Sequence, residues 1–201
     1  MQPRLRGLLA LLALLMLAAC ATTEPAPSPI RLPASASKPP DAAFPAPPEL
    51  QPQVEFWSKV YGVWGRGQIA LHDDRYMDVI YGVITLPGPV DEGQTAEQKN
   101  FAKEHYETLK ELLRQVEFKS AANIPLTPAE QSLANYIRKS SGGPGAIVGA
   151  SERLRSQRGL RERFKQGLEI SGRYDAAFRG VFREAGLPED LAYLPHVESS
   201  F

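Results

Sequence analysis

Cysteine is nearly absent: there is one, Cys20, in 201 residues. A single thiol excludes an internal disulfide, so no covalent cross-link within the chain holds its fold. Net charge is absent as well, with 23 basic side chains balancing 23 acidic ones. That removes the global electrostatic case for a nucleic-acid partner. Long apolar runs are missing apart from residues 7–17, and that run falls short of the ~20 residues a bilayer core requires. Metal-ligand clusters are missing too. His72, Asp73 and Asp74 are adjacent in an expected turn, and three neighbours in a turn do not converge on one ion. No metal and no cofactor is expected, and an aspartate-capped turn is the better reading of the triplet.

Proline is plentiful and unevenly placed. Ten of the 18 prolines fall between residues 21 and 52, mixed with alanine and serine. Such a composition buries too little surface to offset its ordering entropy and favours extended polyproline II. At ~3.1 Å per residue, residues 21–52 reach at most about 100 Å. Ahead of this segment, Arg4 and Arg6 precede the apolar run, and the small Ala18 and Ala19 follow it, which is the pattern of an export signal. The ending "LAAC" resembles the bacterial lipobox. That resemblance implies cleavage before Cys20 and lipidation of its sulfur. Several acyl chains at ~0.8 kcal/mol per buried CH₂ anchor a protein stably, where one is marginal. Ala21 stands where an aspartate often retains lipoproteins in the inner membrane, which favours the outer membrane. The expected organisation is a signal peptide (residues 1–19) followed by a lipid-anchored tether (20–52). A helical region with a β-hairpin (53–146) and a helical segment (147–201) complete it.

The folded part is expected to be mainly α with a small β-hairpin, an α+β chain. Phe56, Val60 and Trp64 recur at steps of four, with Trp57 and Tyr61 beside them, and read as a helical core stripe. Residues 69–72 and 77–85 read as two short strands, the second rich in β-branched side chains and closed by Pro87, Gly88 and Pro89. "TAEQ" from Thr95 and "TPAE" from Thr127 are capping boxes that open two helices, the first expected to end near Phe118. "SSGGPGA" at 140–146 reads as a break and a domain boundary. Residues 151–173 hold seven basic and three acidic side chains. They read as a solvated helix face, with Leu160, Phe164 and Leu168 packing on the other side.

The closing residues carry the chemistry. Tyr174, Phe178 and Phe182 form a stripe with Val181 beside it. Gly186 is a helix-ending glycine. Pro188, Glu189 and Asp190 then start a new helix. In that helix Leu191, Leu194, Glu198 and Phe201 fall on one side. Spacing alone leaves two readings open. Glu198 is buried among apolar neighbours, with the raised pKa a general acid needs, or the helix frays at Ser199 and Glu198 is wet. His196 points away from Glu198 and reads as a surface residue or a support rather than a catalyst.

The block "GLPEDLAYLPHVESSF" resembles the opening of the catalytic domain of lytic transglycosylases of the soluble, goose-lysozyme-like type. "RERFKQGLEISGRY", "FREAGLP", "FWSKVYGVW" and "LHDDRYMDVIYGVITLP" resemble the membrane-bound members of that family. The resemblance covers most of the chain beyond the tether and implies the start of a lysozyme-like fold. It implies a periplasmic, lipid-anchored enzyme whose substrate is the glycan strand of peptidoglycan. Glu198 would be the sole acid/base. It would protonate the oxygen between N-acetylmuramic acid and N-acetylglucosamine, then take the proton of the muramoyl 6-hydroxyl to give a 1,6-anhydro product. A second carboxylate is not needed where the substrate's acetamido group assists. Ser199 matches a residue that positions substrate or carboxylate, and Phe201 the packing aromatic that closes the motif. The family's later motifs and any LysM repeats are not in these 201 residues. The resemblance therefore implies a truncated chain with little or no lytic activity as written. The alternative is a non-catalytic envelope lipoprotein that binds peptidoglycan or a partner protein.

Overall fold

The computed structural model describes residues 44–199. The expected signal peptide and Cys20 lie outside them, as does Phe201. The architecture is mainly α with one small antiparallel sheet, as expected. Among the described residues, regular structure is already present before the tether's expected end at Pro52. A 3-10 turn at Pro48–Leu50 leads directly into helix α1, Gln51–Gly62. Prolines fit these first turns because their missing N–H groups have no helical partner to lose. Phe56 and Val60 face inward from α1, and Trp64 follows just beyond its end. All three are buried with Ala70, as the stripe predicts.

Strand β1 (Gln68–Asp73) is the centre of the sheet, with β2 (Ile80–Thr85) on one side and β3 on the other. Every residue of β1 after Gln68 is buried. Its Ala70 packs with the α1 cluster, and the His72 ring lies 4.2 Å from that of Phe56. Ile69 and Leu71 point to the opposite, larger core. Helix α2 (Ala96–Ala121) and helix α3 (Pro128–Arg138) cover that face through Leu113, Val116, Ala134 and Ile137. Both capping boxes form with both arms in place. Gln98 does more than cap: its Nε2 donates to the carbonyls of Pro87 and Pro89, fastening the turn after β2.

The third strand was not expected. Beyond α3, a 3-10 turn at Gly143–Ile147 and a single helical turn α4 (Ala150–Arg153) lead into β3, Leu154–Arg158. β3 pairs antiparallel with β1, setting Ile69 opposite Arg158 and Asp73 opposite Leu154. The sheet thus crosses the boundary expected between residues 146 and 147. Part of the basic stretch is consequently strand rather than helix. β3 reads LRSQR and has no β-branched residue, so its pairing with β1 overrides its weak propensity.

At Gly159 the chain passes so close to α1 that a Cβ would collide with the Trp64 carbonyl oxygen. Helix α5 (Arg161–Ser171), helix α6 (Asp175–Glu184), a 3-10 turn (Glu189–Tyr193) and the short helix α7 (Leu194–Glu198) follow. Gly186 ends α6 at φ 70°, and Leu187 N–H donates to the Phe182 carbonyl at 2.8 Å, closing the Schellman-type cap that the glycine predicts. Among the described residues no helix is long and apolar enough to cross a membrane.

Candidate functional site

Glu198 is the last residue of α7, and its side chain is exposed. This corrects the first of the two readings. The expected helix is a 3-10 turn that becomes α-helical only at Leu194. The helix ends at Glu198 with Ser199 as its C-cap, so no further helical turn covers the carboxyl among the described residues. Leu194 and Val197 are each 48% exposed. The apolar surroundings expected for the carboxyl are therefore lacking among the described residues. Ser199 follows, and both its N–H and its Oγ donate to the Pro195 carbonyl at 3.1 Å. That hydroxyl is engaged with its own helix rather than aimed at the carboxylate.

What holds Glu198 in place lies behind it. His196 is 7% exposed, which corrects its surface reading in favour of support. Its Nε2 lies 2.7 Å from Ser171 Oγ at the end of α5, and its Nδ1 lies 3.2 Å from the Tyr193 carbonyl. The Ser171 hydroxyl also lies 3.0 Å from the Leu168 carbonyl, and its one hydrogen serves either that carbonyl or the His196 ring. Phe164 stands edge-on to the His196 ring at 6.3 Å and contacts Tyr61 of α1 at 5.1 Å. Tyr61 in turn stacks with Trp57. An aromatic relay thus runs from α1 through α5 to α7. From the side, Arg163 Nη2 donates to the Ser199 carbonyl at 3.2 Å. Arg179 is gripped by both Asp175 oxygens and lies over the Tyr193 ring at 4.8 Å, fixing the 3-10 turn onto α6.

Arg163 also lines a cavity of about 430 Å³ with Arg66, Glu92, Arg158 and Glu162. Much of its charge is committed to structure. Arg158 donates to the carbonyls of Arg66, Asp91 and Glu92. Glu162 accepts from the Arg66 N–H at 2.8 Å and from Arg161 at 2.8 Å. Burial works to raise the Glu162 carboxyl, but these donors outweigh it and hold it below its ordinary value.

No protein-family model, curated protein or solved structure matches this chain.

A second polar cluster lies at the edge of the larger core and was missed in the sequence. Asp73 is fully buried at the end of β1. It accepts from Arg153 Nε at 3.0 and 3.1 Å and from the N–H groups of Arg75 and Tyr76. The last two bonds make it the cap of the expected turn. Arg153 in addition donates to the carbonyls of Ala146 and Val148. Tyr81, skipped in the register between Leu71 and His72, sends a buried hydroxyl towards this pair without a hydrogen bond among the described residues. Burial first, then the charge of Asp73, pushes its phenol well above the ordinary value. Asp73 is closed to solvent and Arg153 nearly so, and the pair acts as a clamp. The only advance signal was the pairing of one acidic turn with one arginine of a basic stretch, eighty residues apart. Among the described residues no group of three or more His, Cys, Asp or Glu is placed to hold a metal ion.

Proposed function

We propose that the chain belongs to a peptidoglycan lytic transglycosylase, closest in its motifs to subfamily D of the membrane-bound lytic murein transglycosylases. Glu198 is its acid/base, and Cys20 is its lipid anchor on the periplasmic face of the outer membrane. The observation that supports this best is the setting of Glu198. The carboxylate faces outward at a helix end, while His196 and Arg163 fix the backbone behind and beside it. A group that must meet a glycosidic oxygen needs access in front and rigidity behind. Glu198 protonates the leaving oxygen, and the muramoyl acetamido group assists at the anomeric carbon. The same carboxylate then removes the 6-hydroxyl proton as that oxygen closes the 1,6-anhydro ring. No water enters the product.

A sugar cleft needs two walls to exclude water and orient the ring, and the described residues supply one. The test therefore uses both the 201-residue chain and the full product of the gene from which it is read. Each is incubated with purified sacculi, and the soluble products are resolved by mass spectrometry. The expected outcome is 1,6-anhydro-muropeptides from the full product, reduced at least a thousandfold by Glu198→Gln, with little or none from the 201-residue chain. A Glu198→Gln variant that still releases anhydro products would remove Glu198 from the role. If neither chain releases product but both sediment with sacculi, the second reading stands: a non-catalytic envelope lipoprotein that binds the wall.

A further inference from the structure

We propose that the open edge of the sheet at β2 binds an extended peptide strand of a partner protein, with apolar and basic side chains on the face turned towards α2. The edge gives the backbone chemistry. β2 is paired on one side only, with β1. The Leu86 N–H donates to the Gly67 carbonyl at 2.8 Å, and the Asp73 N–H donates to the Val79 carbonyl at 3.1 Å. These bonds flank the pairs Gln68–Thr85 and His72–Ile80, so both are pairs that exchange no hydrogen bond, as is Ala70–Val83 two residues along. The N–H and C=O groups of Ile80, Val83 and Thr85 therefore point away from β1. At Ile80 the Tyr136 hydroxyl fills both positions, accepting from the N–H and donating to the carbonyl, each at 3.0 Å. Val83 and Thr85 are exposed and have no such occupant among the described residues. The turn after β2 is drawn towards the opposite edge, where Arg158 of β3 holds the Asp91 and Glu92 carbonyls. Edge strands are commonly blunted by charge or proline. β3 carries Arg155 and Arg158, whereas β2 reads IYGVIT and has neither charge nor proline.

The side-chain chemistry comes from a groove of about 380 Å³ between Gly82 and Ile84 of β2 and Glu104, Thr108, Leu109 and Leu112 of α2. Nothing lies within 4 Å of where a Gly82 side chain would stand, so the strand itself leaves room there. Gly82 and Ile84 are opposite Leu71 and Ile69, and so lie on the α2 side of the sheet. A strand laid along Val83 and Thr85 sends every second side chain to that same side. Ile84, Leu109 and Leu112 present it with an apolar wall. Glu104 has neither an ion pair nor a hydrogen bond among the described residues, and no lysine or arginine lines the groove. The His105 ring, also in the lining, lies with Nδ1 2.9 Å from the Phe101 carbonyl, which leaves Nε2 of the neutral ring as an acceptor. Carboxylate, imidazole nitrogen and the Thr108 hydroxyl together suit a cationic donor. A second copy of β2 brings no charge to meet Glu104, so complementarity favours a partner's basic strand over self-pairing.

The experiment is a calorimetric and NMR titration of the whole chain with the capped peptide acetyl-Thr-Leu-Thr-Lys-Thr-Leu-Thr-amide. Two further forms are N-methylated, one on the threonines flanking lysine and the other on lysine and the leucine after it. A fourth peptide has glutamate in place of lysine. The expected result is saturable binding at millimolar peptide or below, with shift changes confined to residues 80–86 and 104–112. With leucine and lysine in the groove, the threonine N–H groups face Val83 and Thr85. Methylating the threonines should therefore weaken binding at least tenfold, and methylating lysine and leucine far less. The glutamate peptide should bind more weakly, and Glu104→Gln should remove that difference. Proline is tolerated on an edge strand where its N–H would face solvent, so Val83→Pro should keep the melting curve and lose the peptide. Absence of saturable binding, equal effects of the two methylation patterns, or equal binding of the lysine and glutamate peptides overturns the proposal. So does a concentration-dependent dimer that perturbs the same β2 amides without peptide, which would give the edge to a second copy. The methylated peptides decide the matter even if Val83→Pro does not fold.

Discussion

Residues 51–158 and residues 161–199 are stabilised in different ways. The first stretch has two apolar cores on either side of a buried central strand and a largely buried ion pair at the edge of one of them. In the second, the buried residues of α5, α6, α7 and the 3-10 turn are Gly167, Ser171, Ala192 and His196, and α6 contributes none. Large apolar side chains such as Val181, Leu187 and Leu194 stay about half exposed or more. The second stretch is held by a Schellman-type cap, ion pairs and hydrogen bonds, and by the aromatic relay back to α1. Segments with few buried apolar contacts open at lower free energy than packed cores, and sites that must admit a substrate are drawn from that end of the scale. The proposed acid is placed accordingly, on the lightly packed stretch and braced by the firmly packed one.

The comparison is broken most severely at Asp73. Asp73→Ala leaves Arg153 charged and without its carboxylate in the core, and removes the turn's cap. A loss of about 3–5 kcal/mol is expected, read as a lower urea midpoint for the whole chain. Leu113→Ala, at a fully buried position on α2, should cost about 2–5 kcal/mol by the same measurement. A third way works through pH. Burial, opposed in part by the Asp73 carbonyl and the charges of Asp73 and Asp74, holds the His72 imidazole below its ordinary 6.5. The folded state therefore binds fewer protons there than the unfolded one. The stability this contributes is complete above about pH 6.5 and falls as pH drops below it, levelling once the folded value is passed. Melting temperature should decline from pH 7.5 towards 5.5, and His72→Gln should flatten the slope. Glu130, held below its ordinary value first by Lys119 and then by the Thr127 N–H, gives a separate loss only in the acid range below about 4.5. The smallest effect sharpens the contrast. Val181→Ser, at a position 63% exposed, should move global stability by no more than about 0.5 kcal/mol. A large loss there would mean that α6 is packed against something in solution.

Legibility in the sequence followed locality. Thr95, Thr127 and Gly186 were readable because a cap is decided by residues three or four apart. The stripe of Phe56, Val60 and Trp64 was readable because one helix face carries it. Strand β3 was not, because Leu154–Arg158 carries charge and no β-branched residue, and what makes it a strand is a partner more than eighty residues earlier. The clamp between Asp73 and Arg153 was hidden for the same reason. In the candidate site, Glu198 was singled out from its motif, but its environment was left open between a buried and a wet carboxyl. Spacing does not say where a helix stops, and this one stops at Glu198. His196 was assigned a side but not a partner, since Ser171 lies on another helix.

The late arrival of β3 has a consequence for how the chain is made. β1 is its neighbour in the sheet, yet the two are separated by both long helices, so β1 waits with one edge bare until residue 158 has been delivered. Pairing across so long a loop is slow, and a bare strand edge is a template for another chain. Cutting the gene at the apparent break near residue 146 would make that exposure permanent. Such a fragment should collect in aggregates, whereas one ending after Arg158 should remain dispersed.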